Sequence, residues 1–187
     1  MLVDLTLKIT PQMVTDAQGN EKMSFAGHLG THFDVMNKEF PLAYTQTPGI
    51  VFDVSGVEGR DIGSGDIDMN SVKKGMFVAF YSGFVAKEGY GTKVYFKEHP
   101  QLADELIDRL LEKEVCIIGV DFAGVRRGAE HTPKDQYCAD RGVFIVENLC
   151  NLHEVLQGEK KAQFCANTYP LNYTDMTGLP CRVVAKI

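Results

Sequence analysis

The sequence predicts an α/β domain of the mixed α+β kind, with a mixed sheet and few helices. Three observations carry this. Short apolar or alternating runs of strand length outnumber helical periods along the chain. A single long amphipathic helix stands out at Leu102 to Glu114. Directly after it comes VCIIGVDF, a continuous apolar run of the kind a strand shows when it is covered on both faces. At 187 residues without repeat, linker or low-complexity tract, the chain reads as one domain, 1–187.

The elements follow in order. Met1 to Ile9 alternates and reads as an opening strand. Thr10 to Lys22, with Pro11, Asp16 and Gly19, reads as an exposed loop. Ser24 to Asp34 reads as a second extended segment, Ile50 to Val54 as a short strand, and Met76 to Ser82 as another after a tight polar approach at Ser71 to Gly75. Gly83 to Gly91 carries three glycines and reads as a lid or pocket wall. In the helix, Leu102, Leu106, Leu110 and Leu111 form the apolar face, and Asp104, Glu105, Asp108 and Lys113 the wet one. The strand Val115 to Phe122 then makes a strand–helix–strand crossover. Lys134 to Asp140 suits a short helix, capped by Thr132 with Pro133 at its first position. Val143 to Val146, Ala162 to Tyr169 and Cys181 to Ile187 complete the strands.

Composition excludes several functions. A net charge of -6 with no basic block argues against a nucleic-acid surface. No run is long enough to span a bilayer, and MLVDLTLKIT does not read as a signal peptide. Cys116, Cys138, Cys150, Cys165 and Cys181 are odd in number, scattered and without CxxC, which fits reduced thiols and a cytoplasmic location. Nothing beside Cys138 or Cys150 marks a nucleophile.

The densest chemistry is His28-Leu-Gly-Thr-His32-Phe-Asp34. Two imidazoles and a carboxylate within seven residues are ligand types for a divalent ion, zinc first and manganese second. If extended, the segment puts His28, Gly30, His32 and Asp34 on one face, with Gly30 leaving room for the ion. Glu147 ends the apolar run Val143 to Val146, where a carboxylate is costly unless paired or metal-bound. His131 and Asp135 are general acid/base candidates by residue type. Asp121 reads as a holder of the neighbouring loop, and His99 and His153 as surface or capping groups at helix starts.

These residues resemble the HxGTHxD signature of the metal-dependent cyclase/hydrolase family that includes kynurenine formamidases and isatin hydrolases. The similarity runs along nearly the whole chain: the opening VDLT, Tyr95 to Pro100, Lys113 to Asp121, Gly142 to Leu149 and Thr177 to Ala185. It implies a swivelling β/β/α domain and a homo-oligomer, dimer or tetramer, whose site walls a neighbour helps to build. It further implies hydrolysis of a small amide, formamide or lactam through a metal-activated water. His28, His32, Asp34 and Glu147 match the family's metal ligands.

Two positions depart from that pattern. The histidine common four residues past the aspartate is Lys38 here, and the one common twelve residues before the glutamate is Asp135. The expectation is therefore one tightly held ion, with a Lys38–Asp135 pair standing for the second half-site. Lys38 would stabilise an oxyanion and Asp135 or His131 would shuttle a proton, with Glu147 at the ion. The alternatives are a metal-bearing, catalytically degenerate small-molecule binder, or a lyase or cyclase acting on a carbonyl acid.

Overall fold

The computed structural model describes residues 1–24 and 26–187. Eight strands lie among the described residues: β1 (Leu2–Asp4), β2 (His32–Asp34), β3 (Gln46–Asp53), β4 (Phe77–Tyr81), β5 (Ile117–Val120), β6 (Phe144–Glu147), β7 (Lys161–Pro170) and β8 (Gly178–Lys186). The sheet order β1-β8-β2-β6-β5-β4-β3-β7, with β7 also paired to β8, closes the sheet into a barrel-like ring. β1 is an outer addition on β8. Closure removes free strand edges from most of the sheet. β3, β4, β5 and β6 run parallel, while β2, β7 and β8 join antiparallel. The sheet is therefore mixed, as the sequence predicts.

Seven α-helices lie among the described residues: α1 (Pro11–Asp16), α2 (Glu21–Ser24), α3 (Phe84–Glu88), α4 (Lys93–Glu98), α5 (Asp104–Glu112), α6 (His131–Ala139) and α7 (Leu152–Leu156). Only α5 and α6 reach nine residues. The segment expected as a loop at Thr10 to Lys22 holds α1 and the first half of α2. Thr10 caps α1, its Oγ1 accepting from the Met13 N–H at 3.3 Å, with Pro11 in the first turn. The expected extended segment at Ser24 to Asp34 is strand only from His32; Ser24 ends α2, and Phe25 lies outside the described residues.

Alternation along the parallel strands divides the core in two. Val51, Phe77, Ala79, Ile117, Phe144 and Val146 pack inside the ring. Ile50, Phe52, Val78, Phe80, Ile118 and Ile145 face out, under Leu106, Ile107 and Leu110 of α5 and Cys138 of α6. Both faces of these strands are thus buried, which is why their sequences read as continuous apolar runs. Gly119 is required in β5, because a Cβ there would lie 2.3 Å from the Phe77 ring.

His99, expected at a surface, is 1% exposed and stacks on Phe122 with centroids 5.6 Å apart. Its Nδ1 lies 2.7 Å from the Pro100 carbonyl. Burial holds the ring's pKa down at about 4 from the usual 6.5. The fold therefore favours the neutral ring. That stability is full above pH 6.5 and is lost as pH falls towards 4, because the unfolded chain takes up the proton first. Replacing His99→Gln should flatten this loss, worth about 2–3 kcal/mol for the wild type between those limits. Urea unfolding of both proteins at pH 7 and 4.5 checks it; identical acid losses would refute it.

Candidate metal centre

Register places the first ligands. His32 pairs opposite Glu147, Phe33 opposite Val146, and Asp34 opposite Ile145. Phe33, Phe144 and Val146 point into the ring, so His32, Asp34 and Glu147 share the outer face. A one-residue slip would bury the ligands in the apolar core instead.

His28 arrives differently from the sequence expectation. It precedes β2, and Gly30, at φ +73°, turns the chain between the two histidines. A Cβ at Gly30 would meet Ile9 Cδ1 at 2.5 Å, so this glycine serves the turn and the packing rather than clearing space for an ion. His28 Nδ1 and His32 Nε2 lie 3.0 Å apart, and Asp34 Oδ1 is 3.1 Å from the first and 3.5 Å from the second. Glu147 Oε2 stands 3.6 Å from His32 Nε2.

Residues around the motif fix the rings. His28 Nε2 lies 2.9 Å from Thr177 Oγ1, and His32 Nδ1 lies 2.9 Å from the Gly30 carbonyl. With those nitrogens donating, the lone pairs of His28 Nδ1 and His32 Nε2 face each other beside a carboxylate. Asn148, at φ +59°, donates to the Gly30 carbonyl at 2.8 Å, and its Oδ1 accepts from Tyr95 Oη at 2.7 Å. Thr31 Oγ1 accepts from the Leu7 N–H and donates to the Asn148 carbonyl, each at 2.8 Å. Tyr90 Oη accepts from the Gly30 N–H at 2.9 Å. The segment Gly83 to Gly91, expected as a lid or pocket wall, therefore holds α3 and braces the ligand turn.

α6 supplies the second half. It starts at His131, one turn ahead of Asp135 on the same helix face, and Thr132 lies inside it rather than capping it. His131 Nε2 stands 3.2 Å from both Asp135 Oδ2 and Glu147 Oε1. Two ligand-type groups result, His28–His32–Asp34 and Asp34–His131–Asp135, and they share Asp34.

The charges oppose one another strongly. Burial disfavours imidazolium at His32, but the carboxylates of Asp34 and Glu147 outweigh it and lift the ring to about 9. His131 is likewise lifted to about 9 against burial, by Glu147, Asp135 and Asp34. Burial would raise Asp34, yet the two imidazoles hold it below the ordinary carboxylate range. Asp135 moves the other way, well up, through burial and the charge of Asp34.

A divalent ion fits this donor set. Both oxygens of Asp34, Asp135 Oδ1 and Glu147 Oε1 are buried without a hydrogen-bond partner. Ring nitrogens stand within ion-pair distance of Asp34 and Glu147, but not aligned as hydrogen bonds to these oxygens. Buried carboxylate oxygens left this way are costly unless a cation takes them.

Lys38 corrects a sequence expectation. Its Nζ pairs with Asp140 at 2.7 Å, and its side chain is 37% exposed. The Lys38–Asp135 pair does not form, because Asp135 turns with its helix face towards His131 while Lys38 reaches the helix's far end. Asp121 does hold a loop as expected, accepting from Ser82 N–H at 2.9 Å, Ser82 Oγ at 2.6 Å and Gly83 N–H at 2.7 Å. Burial raises the Cys138 and Cys150 thiols to about 12 and 11, which leaves neither a nucleophile at neutral pH.

A cavity of about 220 Å³ opens onto the cluster, and its walls include His28, His32, His131 and Glu147 together with Lys22 and Phe96. A larger cleft of about 610 Å³, lined by Val54, Ser82, His99 and Arg127, contains none of the clustered ligand-type residues.

Sequence reasoning missed Thr177, Asn148 and Tyr95. Thr177 is 149 residues from His28, and although it opens a segment that resembles the family, nothing local points it at an imidazole. Asn148 had a signal: it follows Glu147 directly and is a residue type that tolerates positive φ.

The closed mixed sheet and the shared His/Asp cluster define an α/β protein with the makings of a divalent-metal centre. The sequence matches the putative cyclase family over residues 3–126, and the chain belongs to that family. The matched span contains the His28 to Asp34 motif and ends before His131, Asp135 and Glu147. No curated protein matches the sequence. Solved structures share the fold. A potential metal-dependent hydrolase with cyclase activity is 22% identical at TM-score 0.75, with 99% of this chain and 96% of that one covered. Isatin hydrolase A from Labrenzia aggregata is 19% identical at TM-score 0.72, covering 99% and 93%. Isatin hydrolase A from Ralstonia solanacearum is 18% identical at TM-score 0.72, covering 99% and 91%.

Proposed function

We propose that this protein is a metal-dependent hydrolase acting on the C–N bond of a small amide, formamide or lactam. One observation carries the reading. Unpartnered oxygens of Asp34, Asp135 and Glu147 converge with His28, His32 and His131 at the wall of a small cavity. His28, His32 and Asp34 would hold the ion, with Glu147 beside them; zinc suits the two imidazoles, and manganese is the second choice. Asp34, His131 and Asp135 offer a second, more oxygen-rich position. The names of the structural neighbours support the reaction class.

A divalent ion bound there supplies Lewis acidity and an acidified water. The chain's own groups do the rest. His131 Nε2, poised between Asp135 and Glu147 and kept charged by them, would give its proton to the leaving nitrogen and regain one from the product acid. Glu147 steadies the charged imidazole, and Asp135 Oδ2, 3.2 Å from the same nitrogen, orients it. Phe96 and Ala123 keep one side of the cavity apolar.

A catalytically degenerate binder would be favoured by a Lys38 and an Asp135 that both replace site histidines. Lys38 stands outside the cluster and Asp135 within it, which supports the enzyme. We place the protein in the cytoplasm as a homo-oligomer taking a small-molecule substrate. No helix among the described residues is long and apolar enough to cross a membrane.

Elemental analysis after zinc and after manganese loading, paired with a screen of formamides, lactams and aryl amides, tests the reading. At least one ion per subunit and metal-dependent release of a carboxylate are expected. Two ions per subunit would identify the α6 group as a second position and displace the single-ion expectation. A protein that takes no metal would overturn the hydrolase.

A further inference from the structure

The cavity above the cluster has one feature that the hydrolase reading leaves unused. Lys22, on α2, is the one lysine or arginine among its walls. Its side chain is exposed, and among the described residues it has no ion pair and no side-chain hydrogen bond. Lys38 and Lys134, by contrast, are engaged by Asp140 and Asp104, each at 2.7 Å. Lys22 is also fixed relative to the ligands. Its backbone carbonyl accepts from the N–H of His28 at 3.3 Å, and the helix it sits on is tied back by Ser24 Oγ donating to the Ala17 carbonyl at 2.7 Å.

The neighbouring walls are apolar: Met23 comes from the same helix, and Phe96, 40% exposed, is propped edge-on by Tyr90 and Tyr95 at 5.7 and 5.4 Å. A small ligand placed here shares the cavity with the cluster, apolar side chains and a single unpaired lysine. Ligand pockets use such isolated polar groups to fix orientation and select chemistry.

We infer that Lys22 is the anion anchor of this cavity and selects a substrate that carries a carboxylate in addition to the amide or lactam carbonyl to be cleaved. The inference rests on the hydrolase reading. Three carboxylates line the cluster, and without an ion they would repel an anionic ligand. A bound divalent ion cancels most of that field and leaves Lys22 to decide preference. The reacting carbonyl then lies at the cluster and the anion points outwards, so a neutral amide of the same shape loses one contact and keeps the rest.

The probes are the ortho, meta and para carbamoylbenzoates, each compared with its neutral benzenedicarboxamide. Affinities are measured calorimetrically on zinc-loaded wild-type protein and on Lys22→Met, Lys22→Glu and Lys22→Arg. α2 buries no residue, so these substitutions leave the fold intact. At least one isomer should bind wild type about three- to fivefold better as the anion, the size expected of an exposed ion pair. The preference should vanish in Lys22→Met, invert in Lys22→Glu and persist in Lys22→Arg. A wild type indifferent to ligand charge, or a preference unchanged in Lys22→Met, overturns the inference while leaving the hydrolase standing. Metal content measured on samples loaded with zinc or with manganese separates the two: a wild type that takes neither ion removes the hydrolase reading and this inference with it.

Discussion

Asp34→Asn should abolish metal binding at both ligand groups, the largest functional effect of any single substitution here. Asp34 is the one residue that the two groups share, and both of its oxygens are buried and unpartnered. An amide removes the charge and turns one oxygen into a donor aimed where a cation would sit. Wild-type protein should gain about 2.7 kcal/mol of stability at a hundredfold excess of free ion over its Kd, and the variant nothing. Without metal the order should level or reverse, because the wild-type cluster concentrates carboxylates in a buried space, at a cost the variant relieves. Thermal melts with and without zinc read both effects. A variant that keeps the metal-dependent rise would show that Asp34 is not a ligand.

Phe33→Ala should have the largest effect on stability. Phe33 lies between His32 and Asp34, is fully buried inside the ring, and packs on Phe40 with centroids 4.6 Å apart. Truncating a buried Phe costs roughly 3–5 kcal/mol, and at this chain length each kcal/mol is about 2–4 °C of Tm. Zinc affinity should fall too, although Phe33 faces away from the site, because β2 is only three residues long and Phe33 is its one anchor in the inner core. Loss of stability with unchanged zinc affinity would mean that the ligand strand is held by its register with β6 and β8 alone.

Legibility in the sequence followed the range of the interaction. His28, His32 and Asp34 are close in sequence, so their residue types alone marked a candidate centre. Glu147 was marked by its cost at the end of an apolar strand, and the structure sets it opposite His32. α5 and the doubly covered strands were legible because burial repeats with a local period. α1 was missed although Thr10 and Pro11 carry a helix-start signal, because its six residues bury no apolar face and show no period.

What the chain's order could not specify was which distant groups meet. Lys38 and Asp135 look like a compensating pair in one dimension, yet Lys38 joins Asp140, and Asp135 turns towards His131. That choice depends on where α6 begins and on which of its faces packs against β6. Thr177 beside His28, Asn148 beneath Gly30 and Lys22 over the cavity depend likewise on ring closure and loop placement. The sequence by itself determined the mixed α/β class and the metal-ligating motif, because both are written in local periodicity and residue type. Only the tertiary structure decided the second ligand group and the cavity's charge, because each is set by long-range register, where a shift of one residue exchanges the buried face for the exposed one.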